Sequence, residues 1–308
     1  MLENAAFWGA SCAVVWGISD FIARFAGRSV GAMAATFALM MVGAVLIAAA
    51  MGITGQDLIL ETDGLHYLLG IGSATAIGSI LFYHAVTHGP VTVAAPVVAC
   101  YPAIVMPISV ILGARPSVIS WVAMAVTLAG VWLVARMAAP QTEDTGDGTA
   151  GAEAVPGGKK TGEKFSPAVI RRTALLAFLA AAIFASALAT AAEQAAAIYG
   201  PLQTVLVMRI VGAIIVTIAV FSLKEKMRFP LRAWPLLIAF GVLDTAGHLF
   251  IFIGLGLENG EYAIVTSVAY TAITVLLASF FLRERLTPGQ WSGVALVIAG
   301  VALLAIFG

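Results

Sequence analysis

Charge is scarce in this chain. Of its 308 residues only 16 are Lys or Arg and 16 are Asp or Glu, whereas 61% are hydrophobic and the mean hydropathy is +1.02. So little polar surface cannot coat a soluble core of this size, and lipid has to be the solvent for most of it. The net charge is zero and no long basic tract occurs, which excludes nucleic acid as a partner. Cysteine is nearly absent: Cys12 and Cys100 both sit in apolar runs, in no zinc spacing and with no disulfide framework. The sequence holds no nucleophile triad, no metal-ligand cluster, no phosphate-cradling glycine loop and no ATP-binding motif, so neither an enzyme nor a cofactor has residues to stand on. The N-terminus carries Glu3 in place of a basic cluster, and its apolar run reads as a first membrane span and not as a removed signal peptide.

What is present is a succession of long apolar segments. With roughly 20 apolar residues per crossing, they resolve into ten spans near 5–26, 32–52, 65–86, 91–112, 117–137, 169–198, 201–222, 233–256, 260–282 and 288–307. Turn punctuation separates them, as at His88-Gly-Pro90, Tyr199-Gly-Pro201, Arg228-Phe-Pro230 and Glu258-Asn-Gly260. A Gly-, Thr-, Glu- and Lys-rich stretch from Pro140 to Ser166 lacks apolar periodicity and reads as a flexible linker. The expected organisation is all-α and polytopic: a first repeat over 1–138, a linker over 139–168 and a second repeat over 169–308.

The two halves are copies. Ile111 to Trp121 aligns without gaps on Phe281 to Trp291, and the same 170-residue offset pairs Ala125 with Ala295, Ala129 with Ala299 and Gly130 with Gly300. Five crossings per copy put the second copy into the membrane upside down, giving two inverted five-helix repeats, an architecture that lets one site face either side in turn. A static membrane anchor would need no such inversion. Fourteen Lys and Arg residues fall on one side, Arg115 alone on the other, and Arg209 inside a span. By the positive-inside rule the basic side is cytoplasmic and both termini lie outside.

Two motifs carry a family resemblance. Trp16-Gly-Ile-Ser-Asp-Phe21 resembles the Trp-Gly opening of EamA-type members of the drug/metabolite transporter superfamily. Leu282-Arg-Glu-Arg-Leu-Thr-Pro-Gly-Gln-Trp-Ser-Gly293, followed by Val297-Ile-Ala-Gly-Val301, is similar to the segment joining the last two spans of each EamA repeat. The resemblance implies ten helices around a central cavity and export or exchange of small metabolites in a cell membrane. It also implies cytoplasmic termini, against the charge count. Ala114 stands where the second repeat has Glu284, so the acidic member of this motif reads as structural.

Ionised groups inside a bilayer cost several kcal/mol unless they pair or line water, about 2.5–3.5 on insertion scales, so each one in a span is a site candidate. Glu193 lies seven residues before Gly200 and Arg209 nine after it, which at 1.5 Å per residue gives both about the same depth and predicts an ion pair, either a structural clamp or a cavity charge. Asp244 and His248 share one face of the eighth span about 18 and 24 Å from Arg232, and the corresponding first-repeat positions are Ala74 and Gly78. An acid and an imidazole at that depth can trade a proton near neutral pH, and Asp244 is expected to be the proton-sensitive member. Asp20 and Arg24 form a helix-end pair or, with Trp16 one turn deeper, a substrate contact. Pro96, Pro102 and Pro107 predict a kinked fourth span beside the cavity, with Tyr101 on it. His84 and Tyr83, with Tyr262, Tyr270 and Thr271, add polar edges that packing alone would also explain. Gly289 and Gly293 read as close helix packing. The substrate and proton pathway expected from sequence is therefore Trp16, Asp20, His84, Tyr101, Glu193, Arg209, Asp244, His248 and Tyr270. The function that follows is an exporter of amino acids or related small metabolites, proton-coupled or not, working by alternating access in the inner or plasma membrane. The alternative is a non-coupled facilitator or pore.

Overall fold

The computed structural model describes residues 3–88, 97–98, 100–113, 115–137, 166–282 and 288–307. The 138–165 stretch, which holds nearly all of the expected linker, and the Arg283–Thr287 part of the last motif lie outside them, as do Pro96 and the side chains of Arg24 and Tyr83. Helix accounts for almost every described residue, and there is no strand among them. Five of the helices are long and apolar enough to cross a bilayer.

Capping explains where the helices start and stop. The Asn4 side chain accepts from the Phe7 amide ahead of Ala5–Val30, and Gly31 at φ 90° separates that helix from Ala32–Thr54. Ser166 caps Pro167–Ala187, which carries its proline in the first turn, where no backbone donor is lost. That helix continues through a π turn, Leu188–Ala192, into Glu193 and on to Gly200. There the expected turn is realised: Gly200 adopts φ 74° and ψ 160°, open to glycine, and Pro201 restarts the helix to Ser222. After a short 3-10 turn, Leu231–Ala233, the chain enters Trp234–Leu255.

One expected span differs in form. The ninth is expected to be continuous over 260–282, but it is two helices, Glu261–Ser267 and Tyr270–Leu282, interrupted at Val268 and Ala269. The fourth span shows the matching interruption one repeat earlier: Cys100 and Tyr101 form a turn before Pro102–Ile111. Backbone ahead of the ninth-span interruption is met by hydroxyl groups: Tyr101 and Ser267 hydrogen-bond each other at 2.6 Å, and both reach the Ile264 carbonyl.

Packing reproduces the duplication. Ala5–Val30 lies against Trp234–Leu255, and Leu65–His88 against Pro167–Ala187, so the first helix of each half covers the third helix of the other. The last helices, Val118–Met137 and Pro288–Phe307, are each 20 residues long, begin 170 residues apart and pack on one another. A Cβ on Gly130 would come within 2.7 Å of the Gly293 carbonyl, and one on Gly300 within 2.2 Å of Thr127 Oγ1 and 2.9 Å of the Ala123 carbonyl. Small-residue approach of this kind is how helices associate in lipid, where no hydrophobic force distinguishes one apolar partner from another. The outward faces are correspondingly apolar, with Ile218 and Phe221 among the most exposed side chains, while Arg209, Gln203 and Thr204 are buried. Gln203 secures the 55–64 connection at one end of the bundle: it accepts from the Ile59 amide at 2.7 Å and donates to the Ile59 carbonyl at 2.8 Å. Lys224, Lys226, Arg228 and Arg232 occupy the loop between Ser222 and Trp234, and all are exposed.

Candidate functional site

At the centre of the bundle is a cavity of about 140 Å³ whose walls come from both halves of the chain. Trp16 and Asp20 reach it from the first helix and Arg209 from the helix restarted at Pro201. Asp244 and His248 project from Trp234–Leu255, and Tyr101 and Tyr270 stand at the two helix interruptions. Seven of the nine sequence-derived candidates therefore share one cavity. Asp20 meets no ion-pair partner among the described side chains, since that of Arg24 lies outside them.

The strongest polar contact is not the one expected. Arg209 Nη2 bonds Asp244 Oδ2 at 2.5 Å and lies 3.1 Å from His248 Nδ1, while Glu193 is exposed at a different place on the bundle. The expected Glu193–Arg209 pair is therefore corrected to Arg209–Asp244. Equal depth was a sound inference, but depth fixes height along the bundle normal and says nothing of azimuth. Arg209 turns inward between Ala32–Thr54 and Trp234–Leu255, where Met40 Sδ accepts from Nη1 at 3.6 Å. Glu193 instead lines a second recess of about 370 Å³ with Glu258, Glu261 and Ile264. Leu188, the first residue of the π turn, lines both recess and cavity.

Burial grades the three charged partners. Arg209 is 0% exposed, whereas the side chains of Asp244 and His248 retain 19% and 17% and so touch the cavity. A guanidinium keeps its charge in any protein, so its full burial obliges a counter-charge beside it, and Asp244 supplies that. His248 Nδ1 is also 3.3 Å from Asp244 Oδ2 and 2.9 Å from the Asp244 carbonyl, as the four-residue spacing allows on a helix.

Aromatic rings seat the triad. Trp16 Nε1 donates to the Asp244 carbonyl at 3.3 Å, and its ring meets the His248 ring edge to face with centroids 5.0 Å apart. Tyr270 completes the stack at 6.1 Å from Trp16. The approach depends on Gly247: a Cβ there would fall 2.4 Å from the indole. His84 is elsewhere, with its Nε2 accepting from Arg172 Nη2 at 3.2 Å, and it does not line the cavity. Tyr262 also leaves the cavity to others and accepts from Ser120 Oγ at 2.8 Å. Sequence reasoning missed Met40, Phe184 and Ser267, because methionine, phenylalanine and serine inside an apolar run carry no signal of the face they present.

Known proteins place this geometry. The sequence pattern of the EamA-like transporter family matches residues 4–136 and again residues 172–306. Over 111 residues the chain is 27% identical to the chloroplastic phosphoenolpyruvate/phosphate translocator 1 of Arabidopsis thaliana, a stretch that is 36% of this chain and 27% of that protein. It is 32% identical over 69 residues to UDP-galactose transporter homolog 1 of Yarrowia lipolytica, or 22% of this chain and 19% of the other. An uncharacterised protein of Methanocaldococcus jannaschii shares 32% over 106 residues, 34% of this chain and 77% of its own length. The chain thus matches only a minor part of each named transporter. One solved crystal structure superposes with a TM-score of 0.76 over 98% of this chain and 96% of its own, at 18% identity, which shows a common fold. Matched by one family pattern in both halves, the chain belongs to the EamA-like transporter family of the drug/metabolite transporter superfamily and is a multi-pass membrane protein.

Proposed function

We propose that the protein exports amino acids or related small metabolites by alternating access, driven by a proton gradient. The observation that carries this reading is the composition of the central cavity. Arg209, Asp244, His248 and Asp20 bring charge of both signs to one cavity inside an apolar bundle, which suits a solute that is itself zwitterionic. A substrate carboxylate would address Arg209 and His248, and its ammonium would address Asp20, with Trp16 and Tyr270 packing on its apolar part. His84 and Glu193 stand off the cavity lining, and the proposed pathway omits them.

The same reading takes the architecture as ten crossings in two inverted repeats, 1–138 and 169–308, joined by a linker over 139–168. The reciprocal packing of first and third helices supports it. Charge supports a cytoplasmic location for the loop bearing Lys224, Lys226, Arg228 and Arg232, with both termini outside. A reporter active only outside the cytoplasm, fused to the C-terminus, is then active, and one inserted at Lys226 is silent; the reverse pattern inverts the orientation.

Transport is tested with purified protein in liposomes and a panel of radiolabelled amino acids, with and without a pH gradient. Saturable uptake, counterflow and acceleration by the gradient are expected for at least one solute. Uptake that neither saturates nor shows counterflow identifies a facilitator or pore instead.

A further inference from the structure

We infer that His248 is the residue on which the carrier loads its proton, and that loading exchanges Arg209 for Asp244 as the partner of His248 Nδ1. This rests on the reading of the chain as a coupled transporter and relocates the proton from Asp244, where sequence placed it.

The argument is one of hydrogen-bond valence. His248 Nδ1 has a single hydrogen-bonding lobe, and three groups compete for it: Arg209 Nη2 at 3.1 Å, the Asp244 carbonyl at 2.9 Å and Asp244 Oδ2 at 3.3 Å. A guanidinium has donors only, so its contact is satisfied when Nδ1 is bare. The two Asp244 oxygens have no hydrogen to give, so theirs are satisfied when Nδ1 carries one. The two sets exclude each other, and the side chain stands where either can be completed by a small movement. In the first state the imidazole is neutral, with its proton on Nε2. In the second a hydronium ion from bulk solvent gives its proton to the Nδ1 lone pair and is left as water, and the resulting imidazolium donates to Asp244. No covalent bond in the protein breaks, and release reverses the step.

Three features make His248 the carrier in preference to its neighbours. Protonating Asp244 would leave Arg209, which has no exposed surface, as a buried cation without a counter-charge. The His248 side chain keeps 17% of its surface exposed and lines the cavity, so a proton there can reach the imidazole. The Asp244 carbonyl also has a standing donor in Trp16 Nε1, which keeps it satisfied when His248 turns to Arg209. The remaining titratable groups around the triad are Asp20 and Cys12 on the first helix and Tyr101 and Tyr270 at the interruptions. Asp20 is the other carboxyl among the lining residues and the natural competitor.

Nitrogen NMR of imidazole decides the matter without any substrate. The full chain, purified in detergent with ¹⁵N-labelled histidine, is titrated from about pH 9 to about pH 5, where a histidine of ordinary behaviour changes charge. The chain holds four histidines, and loss of one signal in His248→Gln assigns the resonance. Should that variant not fold, a His66→Gln, His84→Gln, His88→Gln variant leaves His248 as the sole signal. The expected result is Nε2 protonated throughout and Nδ1 bare at high pH, becoming protonated as pH falls. Nδ1 fixed in either form over the whole range overturns the proposal. In proteoliposomes, whatever transport His248→Gln retains is expected to show no acceleration by the pH gradient. Retained acceleration in His248→Gln, with loss in Asp20→Asn, assigns the proton to Asp20 and overturns the inference. Wild type that carries no tested amino acid defeats the export reading alone, because the NMR titration still reports the switch.

Discussion

Seen through the 170-residue offset, the charged triad of the second half has apolar counterparts in the first. Arg209 corresponds to Leu39, Asp244 to Ala74 and His248 to Gly78, and Leu39 lines the same cavity as Arg209. At Gly78 a Cβ would fall 2.5 Å from the ring of Phe184, so a side chain from the second half fills the space beside the position that corresponds to His248. Duplication thus supplied two related walls, and the Arg209–Asp244 ion pair stands on one of them. An ion pair repeated on both would have doubled the desolvation cost.

The largest test of that contrast makes the second wall like the first. Arg209→Leu takes the cation from the part-buried Asp244 and is expected to abolish uptake in liposomes and to lower stability, read from unfolding in detergent. Adding Asp244→Ala, which completes the first-half chemistry, is expected to restore most of the stability and none of the transport. Transport by the double variant would show that charge on this wall is dispensable.

A second test asks whether the shared backbone is as symmetric as it looks. Gly130→Leu and Gly300→Leu each force a side chain into the contact between Val118–Met137 and Pro288–Phe307, and each should cost about 1–3 kcal/mol by overpacking. Similar losses for the two sharpen the comparison; a large loss at one position only would break it.

Smaller effects are expected where the halves meet at their interruptions. Tyr101→Phe removes the 2.6 Å bond to Ser267 and is expected to cost about 0.5–1.5 kcal/mol. The smallest is Glu193→Gln, which should leave stability within about 0.5 kcal/mol and uptake unchanged, because Glu193 is exposed and pairs with no described residue. A strong uptake defect there would make the second recess part of the pathway.

Much of this molecule could be read from its residues, for reasons that are physical. Apolar runs report crossings because lipid demands them, and the Tyr199-Gly-Pro201 turn was legible because only glycine takes the conformation found at Gly200. Asp244 and His248 could be put on one face because four residues make about one helical turn. The partner of Arg209 could not. Rise along a helix gives height, and two acids at reachable heights are separated only by which helices are neighbours, a property of the whole bundle. The seat of Trp16 against Gly247 was hidden for the same reason, since a glycine in a membrane helix signals close approach without naming what approaches.

The π turn at Leu188–Ala192 carries one residue more than an α turn, and among the described residues its first side chain, Leu188, is the one that lines both the cavity and the recess carrying Glu193. A surplus residue can be passed along a helix, which would shift Leu188 relative to both spaces without tilting the helix as a body. An insertion or deletion between Ala187 and Glu193 is therefore expected to reshape both spaces at once.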